Sequence, residues 1–156
     1  MIPLSIPDFG ELRLEHLVLD YNGTLARDGK LLPGVAGRLR ALSKKIQIHV
    51  ITADTFGIAA KELAGLPLRL KILPAEKQAK AKAGFVKKLS AKTVVAIGNG
   101  RNDRQMLKIA ALGIAVIQDE GAAAQTLLAA DVVTRHIQDA LQLLQKTNRL
   151  KATLRS

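Results

Sequence analysis

Short apolar runs alternate with amphipathic segments of helical length, and this alternation limits what the chain can fold into more than any other feature. Residues 13–20, 46–52, 66–73, 94–97, 113–117 and 131–133 read as strands. Residues 33–45, 55–64, 75–89, 103–111, 121–130 and 136–145 carry helical spacing between and after them. Strands that alternate with helices imply βαβ crossovers, hence a parallel sheet covered on both faces. The runs are apolar rather than alternating, as expected of strands buried on both sides. The expected fold is therefore α/β, a doubly wound, Rossmann-like sheet of about five to six strands, with residues 1–156 forming a single domain. Residues 1–12, with Pro3, Pro7 and Gly10, read as an extended lead-in. An Asp28-Gly29 pair between short apolar arms predicts a small hairpin, a flap over the end of the first strand.

In an open α/β sheet, ligands bind at the carboxyl ends of the strands, so the residues there carry the functional reading. The first strand ends in Asp20-Tyr21-Asn22-Gly23-Thr24, a carboxylate followed by a tight turn. The second ends in Thr52-Ala53-Asp54, a hydroxyl ahead of a helix start. The fourth ends in Gly98-Asn99-Gly100-Arg101-Asn102-Asp103, a glycine-punctuated loop closing on an acid. A lysine-rich helix precedes that fourth strand, with Ala79, Ala83, Val86 and Leu89 on its inward face. Two carboxylates, a hydroxyl and an ammonium on one sheet edge can hold Mg²⁺ through oxygen ligands and neutralise a phosphoryl group. Asp20 is then placed to attack phosphorus in line and form an aspartyl-phosphate.

Taken in order, these strand ends resemble the haloacid-dehalogenase superfamily of phosphoryl-transfer enzymes. Within it, the phosphorylation domain of P-type ATPases and small soluble proteins related to it are most alike. That signature runs Asp-Lys-Thr-Gly-Thr, Thr-Gly-Asp, a lysine, then Gly-Asp-Gly-x-Asn-Asp; the segment 106–116, with Gly113-Ile114-Ala115, also follows the pattern. The resemblance covers about residues 14–134. It implies that Asp20 is the phosphorylated nucleophile and a Mg²⁺ ligand, that Asn22 lends its backbone carbonyl to the metal, and that Asn99 and Asp103 complete the metal set. Thr52, Ala53, Gly23 and Thr24 would bind the phosphoryl group. Lys82, which keeps the family spacing to the glycine loop, is the preferred lysine; Lys77, in a Pro-x-x-Lys match after Pro74, is the alternative, and Lys80 comes third.

Two departures qualify the resemblance. Asn22 stands where most phosphatases of the superfamily have an aspartate that serves as general acid and base, and Asn99 replaces the usual metal-binding acid. Both point to a slow or specialised phosphohydrolase, or to a weakened member that holds an anionic partner. No cap domain fits between Thr24 and Thr52 or between Asp54 and Lys82. Capless members act on large substrates or borrow a neighbouring subunit as cap, so the resemblance implies a phosphorylated substrate, small or macromolecular, as partner and leaves open either a large substrate or a homo-oligomer in which a neighbouring subunit serves as cap.

Composition sets the remaining bounds. The net charge is +11, with six lysines between Lys77 and Lys92, and Arg149, Lys151 and Arg155 near the C-terminus. Phe85 is the single aromatic within the first cluster and the second has none, in a chain with 3% aromatics, so a base-stacking signature is missing and nucleic acid is not the expected partner. The chain has no cysteine, which removes thiolate chemistry and disulfides. No apolar run reaches the roughly 18–20 residues of a membrane span, and Met1 to Asp8 lacks signal-peptide features; a cytoplasmic location is the expectation. His16, His49 and His136 show no ligand spacing and read as structural. Asp54 is expected to cap the next helix, and Asp131 to cap or end one.

Overall fold

The computed structural model describes residues 1–156. In chain order it comprises β1 (Ile2–Ile6), β2 (Gly10–Leu14), β3 (His16–Asp20), β4 (Ala26–Arg27), β5 (Lys30–Leu31), α1 (Val35–Ser43), β6 (Gln47–Thr52), α2 (Ile58–Glu62), β7 (Arg69–Ile72), α3 (Gln78–Lys88) and β8 (Val94–Gly98). It continues with α4 (Arg104–Ile109), β9 (Leu112–Val116), α5 (Ala124–Ala129), β10 (Val132–Thr134), α6 (Ile137–Gln145) and α7 (Thr147–Leu154). Six strands form one sheet in the order β10-β9-β8-β3-β6-β7, and every pairing in it is parallel. This is the doubly wound sheet that the alternation of runs and helices implies.

β3 sits at the middle because it can be buried on both faces. Leu17 and Leu19 enter a large core that also takes Val35, Leu39 and Leu42 of α1 and Ile137, Ala140, Leu141 and Leu144 of α6. Val18 points the other way, into a second core with Val86 of α3 and Met106 and Leu107 of α4. The chain runs from β3 outward through β6 to β7, then returns to the other side of β3 for β8, β9 and β10. The order therefore reverses at β3, and the carboxyl ends of β3, β6 and β8 converge at the switch point where such sheets bind ligands.

Several boundaries depart from the sequence reading. The lead-in is not a plain extended segment: β1 and β2 pair antiparallel as a separate ribbon, with Ile2, Leu4, Ile6 and Leu14 buried. Pro3 is tolerated there because this two-stranded ribbon leaves an edge on which no N–H is needed. The expected strand 13–20 consequently breaks at Glu15, whose N–H is taken by the Thr93 carbonyl and whose carbonyl accepts the Gln47 N–H. The helix expected over 55–64 contracts to α2. Asp54, with φ 31°, and Gly57, with φ 69°, hold the preceding residues in a loop, and the Asp54 carboxylate accepts the N–H groups of Ala59 and Ala60 at 2.8 and 3.1 Å. Asp54 thus caps as expected. Asp131 follows α5, but its carboxylate accepts the Gly113 N–H at 2.7 Å and so braces β9. A last helix, α7, continues beyond residue 145 and buries Leu150.

The flap is present as β4 and β5, paired antiparallel around Asp28 (φ 50°) and Gly29 (φ 78°), the left-handed pair that a two-residue hairpin needs. Between β3 and β6 there is only this hairpin and α1, and between β6 and α3 only α2 and β7; no cap domain is inserted. No helix is long and apolar enough to cross a membrane.

His16 and His49, separated by 33 residues, meet across β3 and β6 with Nδ1 and Nε2 3.1 Å apart. His49 is 2% exposed and meets the Phe85 ring edge-on at 5.5 Å. Burial first, then the neighbouring His16 and Arg69, push its pKa down to about 4 from 6.5. The folded state therefore holds His49 neutral where the unfolded chain would protonate it. This stabilisation is complete above about pH 6.5 and is lost as pH falls toward 4, on the order of 3 kcal/mol in all. Chemical denaturation between pH 7 and 4 should show that fall, and His49→Phe should flatten it. An unchanged pH slope in the variant would assign the loss to other groups.

Candidate active site

The carboxyl ends of β3, β6 and β8 deliver Asp20, Thr52 and the loop beginning at Asn99 to one cleft of about 460 Å³. Asp20 is the last residue of β3, paired opposite Ile51, and is 8% exposed at the cleft floor. Thr52 closes β6, and its hydroxyl accepts the Asp54 N–H at 3.3 Å, which fixes the turn into the following loop. Asn22, Ala53 and Asn99 also face the cleft.

Beneath Asp20 lies a buried ion-pair network. The Lys82 ammonium, 1% exposed, donates to Asp20 Oδ1 at 2.7 Å and to Asp103 Oδ1 at 2.6 Å. Asp103, fully buried, uses its second oxygen to accept the N–H groups of Asn99 and Gly100 at 3.0 and 2.9 Å. Its carboxylate therefore binds the lysine with one oxygen and shapes the 98–103 loop with the other. Its place differs from that expected of a metal ligand: both oxygens are engaged below the cleft floor, and Asp103 does not line the cleft. Gly98 admits this arrangement, since a Cβ there would come within 2.5 Å of the Asp103 carboxyl carbon.

Of the three candidate lysines, only Lys82 enters the site. Lys77 is exposed in a left-handed conformation before α3, and Lys80 is exposed on that helix. Gly23 and Thr24, expected against a phosphoryl group, lie behind the cleft wall. Thr24 is fully buried, and its hydroxyl lies 3.4 Å from both Asp20 Oδ2 and Asn99 Oδ1, joining the β3 and β8 loops. Gly23, with φ 77°, turns where a Cβ would stand 2.5 Å from the side chains of Asn99 and Glu120.

Three contributors lay outside the sequence reading. The Tyr21 hydroxyl donates to the Gly29 carbonyl at 2.8 Å, tying the flap to the residue after Asp20. The Gln118 amide donates to the carbonyls of Gly23 and Thr24, both at 2.9 Å, and accepts the Ile137 N–H. Glu120, from the same loop, lines the cleft. A tyrosine hydroxyl that reaches over a hairpin turn, or a glutamine that bridges three loops, has no local pattern to announce it.

The electrostatics are lopsided. The cleft lining carries Asp20, Asp28, Asp54 and Glu120 and neither lysine nor arginine. Burial, followed by the Asp103 charge, raises the Asp20 pKa to about 7, while Lys82 pulls it down. Burial alone would push the Lys82 ammonium down, yet the charges of Asp20 and Asp103 outweigh it and hold its pKa above the usual lysine value. One cation against two carboxylates leaves a net negative floor. A divalent cation above Asp20 would relieve that excess, and the donors facing the cleft, a carboxylate and amide oxygens, are the hard oxygen ligands that Mg²⁺ takes.

A family model described as haloacid dehalogenase-like hydrolase matches residues 80–140, the stretch that carries Lys82, Asn99 and Asp103. The chain belongs to the haloacid-dehalogenase superfamily. Among curated proteins, Uncharacterized protein MJ0073 of Methanocaldococcus jannaschii is 58% identical over 64 residues, covering 41% of this chain and 69% of that protein. Uncharacterized protein MJ0072 of the same organism is 46% identical over 39 residues, covering 25% and 89%. Among solved structures, the 3-deoxy-D-manno-octulosonate 8-phosphate phosphatase of Moraxella catarrhalis, in complex with magnesium, phosphate and KDO, superposes with a TM-score of 0.72 at 19% identity, over 89% of this chain and 90% of that one. The cobalt-bound deoxy-D-mannose-octulosonate 8-phosphate phosphatase of Haemophilus influenzae gives 0.72 at 15% identity, over 92% and 94%. At these identities the structures share the haloacid-dehalogenase fold.

Lys82→Met would leave Asp20 and Asp103 buried side by side with no cation between them. Unfolding free energy at pH 7.5 should fall by about 3–5 kcal/mol, and the loss should shrink as pH is lowered and one carboxyl takes a proton. Lys77→Met, on the exposed surface, should stay within about 0.5 kcal/mol of wild type. Equal effects of the two substitutions in urea denaturation would contradict the network as described.

Proposed function

We propose that this protein is a Mg²⁺-dependent phosphohydrolase that transfers the phosphoryl group of a phosphate ester to Asp20 and then to water. The observation that carries this reading is the buried contact of Lys82 with both Asp20 and Asp103 at the switch point of the sheet. Membership of a hydrolase superfamily supports it, as do solved relatives of the same fold that are phosphatases and hold magnesium or cobalt.

The roles follow from placement. Lys82 fixes one oxygen of Asp20 and favours its ionised form, so the other oxygen can meet phosphorus from the cleft side. Attack forms the Asp20–phosphorus bond as the ester P–O bond breaks, and the electron pair leaves with the ester oxygen. Thr52 and the backbone at Ala53 stand at the end of the adjacent strand, where they can hold phosphoryl oxygens. Asp20, the Asn22 carbonyl and Asn99 would hold Mg²⁺, which when bound supplies charge neutralisation for the phosphoryl oxygens. Asp103 positions Lys82 and the loop from Asn99 to Gly100. Hydrolysis of the aspartyl-phosphate returns Asp20 and releases inorganic phosphate.

Asn22 sets the expected rate. It lines the cleft directly after Tyr21, where a carboxyl could protonate the leaving oxygen and later deprotonate water, and an amide does neither. Losing such a group lowers rates by about 10²–10⁴-fold. The same residue favours a second reading, a binding module of the same fold that holds an anionic partner without turnover.

p-Nitrophenyl phosphate hydrolysis with and without Mg²⁺ separates the two readings. Wild type should turn over slowly and only with the metal, Asp20→Asn should abolish it, and Asn22→Asp should raise it by about 10²-fold or more. If wild type and Asn22→Asp were both as inert as Asp20→Asn, the binding module would be the correct reading.

A further inference from the structure

Asp20 is the one carboxylate among the residues that would hold the cation, Asn22 and Asn99 being neutral, and the structure brings another carboxylate to the same cleft from a different part of the chain. Glu120 lies in the turn after β9, and both ends of that turn are anchored to the active-site loops. On one side Gln118 donates to the Gly23 and Thr24 carbonyls at 2.9 Å. On the other, the Asn99 side-chain amide donates to the Gly121 carbonyl at 3.1 Å, and the Ala123 N–H donates to the Asn99 carbonyl at 2.9 Å. The turn is closed by the Gly121 N–H on the Gln118 carbonyl at 3.2 Å. From this platform the Glu120 carboxylate comes to the Asn99 amide: both lie 2.5 Å from the point where a Cβ on Gly23 would project.

Nothing else in the protein occupies that carboxylate. The three ion pairs are Arg27–Asp119, Lys82–Asp20 and Lys82–Asp103, so Asp119, next in sequence, is drawn outward to the flap while Glu120 faces the cleft. A carboxylate beside Asn99, in a cleft that Asp20 also lines and that holds no lysine or arginine, adds negative charge with no cation to meet it. A divalent cation would meet it, because Mg²⁺ sites take one or two carboxylates together with neutral oxygens and water.

We propose that Glu120 supplies the second carboxylate of the cation site, beside the neutral Asn99. The inference rests on the metal-dependent reading of the site above, and it concerns a residue outside that site's motif loops.

Isothermal titration with MgCl₂ tests it without turnover. Wild type should bind Mg²⁺, and Glu120→Gln should weaken binding by about 10- to 100-fold. Adding Asn99→Asp to Glu120→Gln should restore most of the loss, whereas Asp119→Asn, which removes the same charge from the neighbouring position, should leave binding unchanged. Circular dichroism of Glu120→Gln should match wild type, since the side chain is exposed. Mg²⁺ affinity unchanged in Glu120→Gln while Asp20→Asn loses it would overturn the role of Glu120 and leave the metal site standing. Equal weakening by Asp119→Asn would reduce the effect to bulk charge and overturn it as well. No Mg²⁺ uptake by wild type would overturn both this role and the metal-dependent reading.

Discussion

Two carboxylates buried within reach of one ammonium govern much of this structure. Asp20 and Asp103 come from different strand ends, and Lys82 is the one cation that both carboxylates contact. The lysine in turn reaches them only because α3 packs its inward face on the sheet, with Val86 in the core beside Val18 and Met106. Breaking such a network leaves a buried charge uncompensated, so the sheet, the helix and the 98–103 loop are coupled through a single side chain. The same contact fixes Asp20 Oδ1, while Oδ2 lies 3.4 Å from the Thr24 hydroxyl and the residue lines the cleft.

That cleft gains its shape from glycines and tethers rather than from an added domain. Gly23 and Gly98 allow the Asn99, Glu120 and Asp103 side chains to approach backbone more closely than a Cβ permits. Tyr21 and Gln118 then fasten the flap and the turn after β9 to the loop that follows Asp20. With no inserted cap, Gly29 of the flap, Phe56 of the loop after β6 and Ile58 at the start of α2 line the cleft, which stays open to solvent. Phe56 is 86% exposed there.

Much of this was legible in the sequence, for physical reasons. A doubly wound sheet confines ligand chemistry to its strand ends, so Asp20, Thr52 and the loop from Asn99 could be singled out before their contacts were visible. Lys82 was legible too, though less plainly: it follows Ala79 by three residues and precedes Val86 by four, which puts it on the apolar stripe of α3, while Lys77, Lys80, Lys87 and Lys88 fall off it. The β1–β2 ribbon was hidden because Pro3 and Pro7 mask the alternation of Ile2, Leu4 and Ile6. The His16–His49 pair depends on the register of two strands whose relative shift no local pattern reveals. Asp103 was misplaced because a carboxylate in a glycine loop looks the same whether it faces a metal or a buried lysine. Glu120 lies well beyond the Asn99–Asp103 loop, and only the anchored turn makes it a neighbour of Asn99.

The central claim is that Asp20, held by Lys82, is the group that accepts the phosphoryl moiety. A crystal structure of the protein soaked with MgCl₂ and beryllium fluoride tests it most directly. A trifluoroberyllate should form on Asp20, with Lys82 still in contact with its carboxylate and Thr52 against the fluorines. An unmodified Asp20 under saturating reagent, or an adduct contacted by Lys77 in place of Lys82, would contradict it.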